Sequence, residues 1–189
     1  MMVRPLPRCS LVKGFYMDLA AMIRSIPDFP RPGIVFKDIT TLISDGPALR
    51  ETIAELRKRF AGDSVDAVIG IESRGFIFAA ILAYELGVGI MPVRKPGKLP
   101  FETIAESYEL EYGTDSLEMH IDALKPGQRV VIVDDLLATG GTVEATIRLV
   151  RKLGAEVIGC AFVIELDFLG ARRRLAPMRI ESLIHVESE

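Results

Sequence analysis

Apolar residues change their spacing several times along the chain, and each change marks a predicted element. Leu19, Met22, Ile23 and Ile26 stand at i, i+3, i+4 and i+7, which predicts a helix over Met17–Ile26. Pro27, Pro30 and Pro32 then forbid regular structure through PDFPRPG, and Ile34–Asp38 reads as a short extended segment. Asp45-Gly46-Pro47 opens a second helix, with Pro in its first turn and Leu49, Ile53, Leu56 and Phe60 as its buried stripe.

From there the pattern repeats. Ala67–Ile71 (AVIGI) is a short apolar strand, Glu72-Ser73-Arg74-Gly75 a turn, and Phe76–Leu86 a helix ending at Gly87. Ile90–Val93 is the next strand. Val130–Val133 is another, followed by a loop over Asp134–Gly141, a helix over Thr142–Leu153 stopped by Gly154, and a strand over Val157–Ile164. Unbroken Val/Ile strands alternating with helices predict an α/β fold, a mainly parallel twisted sheet covered on both faces. In such sheets ligands bind outside the carboxyl ends of the strands. The two polar loops, ESRG and DDLLATGG, are therefore expected to open at one rim.

Between Arg94 and Pro126 the pattern differs. Lys95-Pro96-Gly97-Lys98-Leu99-Pro100 is stiff and polar, SYELEYG is acidic and aromatic, and Leu117, Met119 and Ile121 alternate with polar residues. This predicts a β-ribbon or flap, at about residues 95–120, beside the rim. Pro126-Gly127 is a tight turn before the central strand.

Composition narrows the function classes. The 189 residues, 49% hydrophobic and 26% charged, suit one domain with a sizeable core. A net charge of −3, with cations dispersed, argues against nucleic acid as partner. Cys9 and Cys160 form no CxxC pair, which suggests a reducing compartment, with Cys160 in the core and Cys9 at the surface. His120 and His185 lie far apart with no HExxH, which argues against a protein-ligated zinc ion. Residues 1–16 are interrupted by Pro5, Pro7 and Ser10, so a secretory signal is not expected; they read as a flexible extension, with Met17 a plausible natural start. Residues 17–189 then form a single domain. No stretch is long and apolar enough to span a membrane.

The segment Val130–Thr142, VVIVDDLLATGGT, carries the most chemistry. Small residues at Ala138, Gly140 and Gly141 let a phosphate approach the backbone, the helix start supplies free N–H groups, and Thr139 and Thr142 add hydroxyl donors. Asp134 and Asp135 would repel each other and a phosphate unless used, and a vicinal diol uses them, since a carboxylate accepts both O–H donors. Together these describe a receptor for ribose 5-phosphate. The plain alternative is that Asp135 caps a turn and TGGT is only a helix start.

In Glu72-Ser73-Arg74-Gly75 the arginine fork and turn amides suit a pyrophosphate. Arg94, Lys95 and Lys98 make a basic edge that reads equally as a solvated loop. Glu111 stands on the ribbon near two further acids, Glu106 and Glu109, which reads equally as a solvated face, and Phe36 follows the apolar pair Ile34-Val35, where a core role is usual.

Five motifs in order, FPRPGIVFKDIT, ESRGF, PVRKPGKLP, YELEYG and VVIVDDLLATGGT, resemble the type I phosphoribosyltransferases, and among them the branch that uses adenine. The resemblance runs from about Met17 to near the C-terminus. It implies that family's fold with a β-ribbon flap and a small N-terminal hood. It also implies transfer of the 5-phosphoribosyl group of phosphoribosyl pyrophosphate to adenine, giving AMP and pyrophosphate in purine salvage. It places ribose 5-phosphate on Asp134, Asp135, Ala138, Thr139, Gly140, Gly141 and Thr142. Pyrophosphate falls to Glu72, Ser73, Arg74, Arg94, Lys95 and Lys98, with a non-proline cis peptide between Glu72 and Ser73. Adenine stacks on Phe36, is read by the backbone of Val35 and Lys37, and meets an apolar wall at Leu166, expected after the last core strand. Many relatives carry Arg where Lys37 stands, which puts any side-chain role of that Arg in doubt. Glu111 is the implied acid/base and Arg74 the implied cation at the departing pyrophosphate. Mg²⁺ carried by phosphate and ribose oxygens, a homodimer and a cytoplasmic setting complete what the resemblance implies; Mg²⁺ prefers such ligands to an all-protein cage.

Rival classes remain: transfer to a 6-oxopurine, xanthine or orotate, and a regulator that senses the phosphoribosyl ligand without turning it over. A dinucleotide oxidoreductase lacks its GxGxxG and a P-loop enzyme its GxxxxGK[ST].

Overall fold

Alternate residues of the central strands face opposite ways, and this organises the whole molecule. The computed structural model describes residues 17–109 and 114–188. Its main sheet contains β3 (Ala67–Ile71), β4 (Gly89–Val93), β7 (Arg129–Leu137), β8 (Glu156–Leu166) and β9 (Ile180–Val186), all parallel, in the order β4-β3-β7-β8-β9. Val68, Val131, Val133, Ala161 and Val163 face one side and pack with Ile53 and Leu56 of α2 (Gly46–Arg59) and Phe78 and Leu82 of α3 (Gly75–Leu86). Ala67, Ile69, Val130, Ile132, Cys160 and Phe162 face the other, under Val143, Ile147 and Val150 of α4 (Gly141–Lys152). Phe78 and Phe162 are fully buried, and truncating side chains of this kind to alanine typically costs about 3–5 kcal/mol. Burial pushes the Cys160 thiol up to about 12.

The expected α/β architecture is present, with three differences in detail. Met17–Ile26 is not a helix: it holds a 3-10 turn, Ala20–Met22, and a strand, β1 (Arg24–Ile26). Pro27 disfavours helical geometry at Ile26, and β1 pairs antiparallel with β2 (Phe36–Asp38), where Arg24 Nη2 lies 2.5 Å from Asp38 Oδ2. Leu19, Met22 and Ile23 still pack on the core, so the apolar spacing marks a real core contact, carried on a 3-10 turn and a strand instead of a helix. Second, β7 continues to Leu137, placing Asp134 and Asp135 on the strand rather than in a loop, because β8 pairs with it as far as Leu137↔Glu165. Third, Leu166 ends β8, which is not the last strand: a short helix α5 (Ala171–Leu175) and β9 follow it. A short helix α1 (Thr40–Ser44) also precedes α2.

The helix starts follow local rules. Asp45 accepts from Ala48 N at 2.8 Å, capping α2 with Pro47 in its first turn. The ribbon is formed by β5 (Thr103–Glu109) and β6 (Thr114–His120), antiparallel, with Leu117 and Met119 facing the core and Ile121 exposed. Its root is pinned to α4 through Glu106, which lies 2.7 Å from both Arg148 Nε and Lys152 Nζ. Among the described residues no helix is long and apolar enough to cross a membrane. The expected N-terminal extension (residues 1–16), with Cys9, and the candidate Glu111 lie outside the described residues.

Candidate active site

Both polar segments reach the same rim of the sheet, and between them lies a basin of about 500 Å³. Glu72, Ser73 and Arg74 form one wall, Asp134–Gly140 and Thr142 another, and Lys95, Tyr108 and Leu117 close the ribbon side. The two loops are pressed together at Gly75. A Cβ there would stand 2.6 Å from Asp134 Oδ1 and 2.9 Å from Val133 O, so only glycine allows this approach.

The acid pair occupies an unfavourable position for charge. Asp135 is 4% exposed, and its carboxyl is pushed up by burial, with Arg74 opposing the rise. Burial pushes Asp134 well above the ordinary carboxylate range, and repulsion from Asp135 adds to it. Arg74 Nε lies 2.7 Å from Asp135 Oδ2, yet no N–H is aimed at that oxygen, which has no directional hydrogen bond among the described residues. A buried acceptor without a donor is unfavourable unless a ligand supplies one. Vicinal hydroxyls at the basin's edge would do so.

The other wall suits an anion. α4 starts at Gly141, and Gly140 at φ 82° occupies the left-handed region that favours glycine. The first turn of α4 offers its N–H groups beside Thr139 and Thr142, as expected of a phosphate cradle.

The peptide between Glu72 and Ser73 is cis, as the resemblance implied. Burial alone would raise the Glu72 carboxyl, but Lys98 Nζ at 2.5 Å, the Lys95 N–H at 3.0 Å and Arg94 at 3.3 Å outweigh it and hold Glu72 at about 2. Of the basic edge, Lys95 lines the basin, whereas Arg94 and Lys98 are engaged with Glu72 just behind it. Glu72 thus acts as the anchor of the cations, and its side chain is committed to them. Its pKa lies below the ordinary 4.5, so it contributes stability that is fully present above 4.5 and lost as pH falls towards about 2. Urea unfolding across pH should therefore show Glu72→Gln less stable than the parent near neutrality, the gap closing below 4.5. A gap independent of pH would contradict this account of Glu72.

Two residues that motif reading passed over complete the ribbon side. Tyr108, 8% exposed, donates to Asp115 Oδ2 at 3.2 Å, and the same oxygen lies 3.0 Å from Lys95 Nζ. Asp115 thereby fixes the direction of Lys95. The aromatic residue within an acidic ribbon was the available signal for Tyr108; nothing in the sequence linked Asp115 to Lys95.

The four residues expected at a base divide between two places. Val35, Lys37 and Leu166 line a smaller, largely apolar cavity of about 200 Å³ with Phe168, Leu169 and Val186. Phe36 faces the basin side: the Arg74 guanidinium lies 5.1 Å from its ring centre, and Phe29 meets it edge-on at 5.2 Å. Arg74 therefore spans from the acid pair to the aromatic face.

Comparison with known proteins agrees with this geometry. The phosphoribosyl transferase domain family matches residues 42–179. An adenine phosphoribosyltransferase of Roseiflexus sp. is 60% identical over 167 residues, covering 88% of this chain and 97% of the relative. The crystal structure of the adenine phosphoribosyltransferase of Thermoanaerobacter pseudethanolicus is 55% identical, covers 89% of this chain and 98% of its own, and superposes with a TM-score of 0.88. That of Saccharomyces cerevisiae, solved with an imino-altritol bisphosphate and adenine, is 39% identical with a TM-score of 0.83, covering 88% and 96%.

Proposed function

The chain belongs to the adenine phosphoribosyltransferase family, and from that we propose how its own residues transfer the 5-phosphoribosyl group of phosphoribosyl pyrophosphate to adenine. The observation that carries the reading is the buried Asp135 oxygen without a directional hydrogen bond, in the same basin as a free helix start and the Glu72-Ser73-Arg74 loop.

Ribose hydroxyls fall to Asp134 and Asp135, and the 5-phosphate to the backbone of Ala138–Gly141 with the hydroxyls of Thr139 and Thr142. Pyrophosphate lies against the Glu72-Ser73-Arg74 loop and Lys95, with Arg94 and Lys98 adding positive potential from behind Glu72. Adenine is assigned to both places at once: its ring stacks on Phe36 on the basin side, and its edge reaches the backbone of Val35 and Lys37 beside Leu166 in the smaller cavity. A ring nitrogen of adenine forms the new bond to the anomeric carbon as the bond to pyrophosphate breaks, through an oxocarbenium-like sugar. Arg74 and Lys95 stabilise charge growing on the departing pyrophosphate, and Glu111 takes the purine proton.

The donor set fits a magnesium ion carried by substrate oxygens: the buried Asp135 oxygen is a hard acceptor suited to a metal-bound water or a ribose hydroxyl. Such an ion supplies charge neutralisation at the pyrophosphate. The same reading makes the protein a cytoplasmic homodimer working in purine salvage.

Incubation with phosphoribosyl pyrophosphate and radiolabelled adenine, hypoxanthine, xanthine or orotate, with and without Mg²⁺, tests the proposal. Nucleotide should form from adenine, in the presence of Mg²⁺, with release of pyrophosphate. Equal use of a 6-oxopurine would overturn the choice of base, since a site built to meet an amino donor disfavours an acceptor in its place. Ligand binding without pyrophosphate release would point to a regulator instead.

A further inference from the structure

Beside the smaller cavity lies a contact that the proposed reaction does not use. β8 ends at Leu166, and Asp167–Leu169 then make a single 3-10 turn before Gly170. None of the three turn residues is buried, and Phe168 and Leu169 are 39% and 36% exposed while lining the cavity. Core packing therefore does not fix this turn. Its backbone closes with one bond, Gly170 N to Asp167 O at 3.0 Å. Among the described residues, one side-chain hydrogen-bonding contact joins the turn to the sheet: His185 Nδ1 lies 3.0 and 3.2 Å from the two carboxylate oxygens of Asp167.

The sheet register sets up this contact. His185 pairs with Glu165, and the next residue, Val186, pairs with Leu166 and lines the same cavity. A carboxylate offers only acceptors, so Nδ1 carries the proton. The other nearby carboxylate, Glu165, is 3.9 Å from the ring and committed elsewhere: Arg172 meets both of its oxygens at 2.8 Å and Ser182 donates at 2.6 Å. Asp167 is thus the acceptor left for His185.

We propose that His185, acting through Asp167, is a positioning residue for the purine: it holds the turn that presents Phe168 and Leu169 to the base beside Leu166. The proposal rests on the assignment of this cavity to adenine.

Steady-state kinetics with each substrate varied in turn provide the test. His185→Ala should raise KM for adenine about three- to tenfold, the effect of one partly exposed hydrogen bond. KM for phosphoribosyl pyrophosphate and kcat should stay within about twofold, the signature of lost uniform binding of one substrate. His185→Asn keeps an N–H donor at the same distance along the side chain and should restore the adenine KM. His185→Phe keeps a ring without that donor and should behave as His185→Ala. Thermal midpoints should change little, because a single partly exposed hydrogen bond adds little to global stability. A parental adenine KM in His185→Ala, a parental value in His185→Phe, or equal increases for both substrates would each overturn the proposal. Leu166→Ala, measured alongside, separates the two levels. If it raises the adenine KM while His185→Ala does not, the cavity assignment stands and the role of His185 falls. If Leu166→Ala leaves the adenine KM unchanged, the cavity assignment falls and the proposal falls with it.

Discussion

Gly75→Ala should lower kcat/KM for adenine by about a thousandfold or more, and the reason is steric rather than chemical. The new methyl would meet Asp134 Oδ1 at 2.6 Å, Val133 O at 2.9 Å and the Asp134 Cα at 3.0 Å. Two of these three atoms belong to the backbone of β7, which is fixed between β3 and β8 and cannot retreat. The Glu72–Gly75 turn must move instead, carrying Arg74 away from Asp135 and the loop amides away from the basin. Displacements of about 1 Å in positioning groups cost about a hundredfold, and here both the sugar and the pyrophosphate walls shift together. Overpacking of this kind also costs about 1–3 kcal/mol of stability. Kinetics and thermal unfolding of the same preparation check both parts, and activity within about tenfold of the parent would mean the two walls can separate without consequence.

Arg74→Ala should lower kcat/KM by about a hundred- to a thousandfold, as expected when a group aimed at developing charge is removed. Its loss also removes the cation beside Asp135 and the partner of the Phe36 face. The Asp135 carboxyl, already raised by burial, should then rise further. A carboxyl whose folded-state pKa is raised destabilises the fold above that pKa and ceases to do so once protonated. The variant should therefore lose stability near neutrality and recover part of the loss on mild acidification; the gap for Glu72→Gln also closes in acid, but there because the parent loses stability, whereas here the variant regains it. Urea unfolding at several pH values reads the stability and steady-state assays read the rate. Unchanged kcat/KM would remove Arg74 from the pyrophosphate site, and a stability loss that does not shrink with acid would break its link to Asp135.

The sequence was most legible where one physical demand dominated. AVIGI and VVIV are buried on both faces, so unbroken runs without polar residues, rich in Val and Ile, marked β3 and the start of β7. The helix α3 and its end at Gly87 followed from the same logic. Legibility failed where a distant partner decided. The spacing of Leu19 to Ile26 satisfied a helix, but pairing with β2 and Pro27 drew Arg24–Ile26 into a strand. Asp134 and Asp135 resembled the start of a loop because they are acidic, whereas continued pairing with β8 keeps them on β7. The alternation in IESLIHV was the available signal for β9, after three arginines that obscured α5. At the site, residues adjacent in sequence were readable as groups. Contacts across long separations, such as Lys95 with Asp115 or Arg74 with Phe36, came only with the fold.

Cys160 has a practical consequence. Its thiol lies in the centre of β8, fully enclosed, and its acidity is suppressed to about 12, so almost no thiolate exists near neutrality. Alkylating reagents can reach it only when the sheet opens. In a Cys9→Ser background, the rate of Cys160 alkylation becomes a clock for opening of the β7–β8 region. Any ligand that binds only the closed sheet must slow that clock in proportion to its occupancy, so substrate affinities can be measured without turnover.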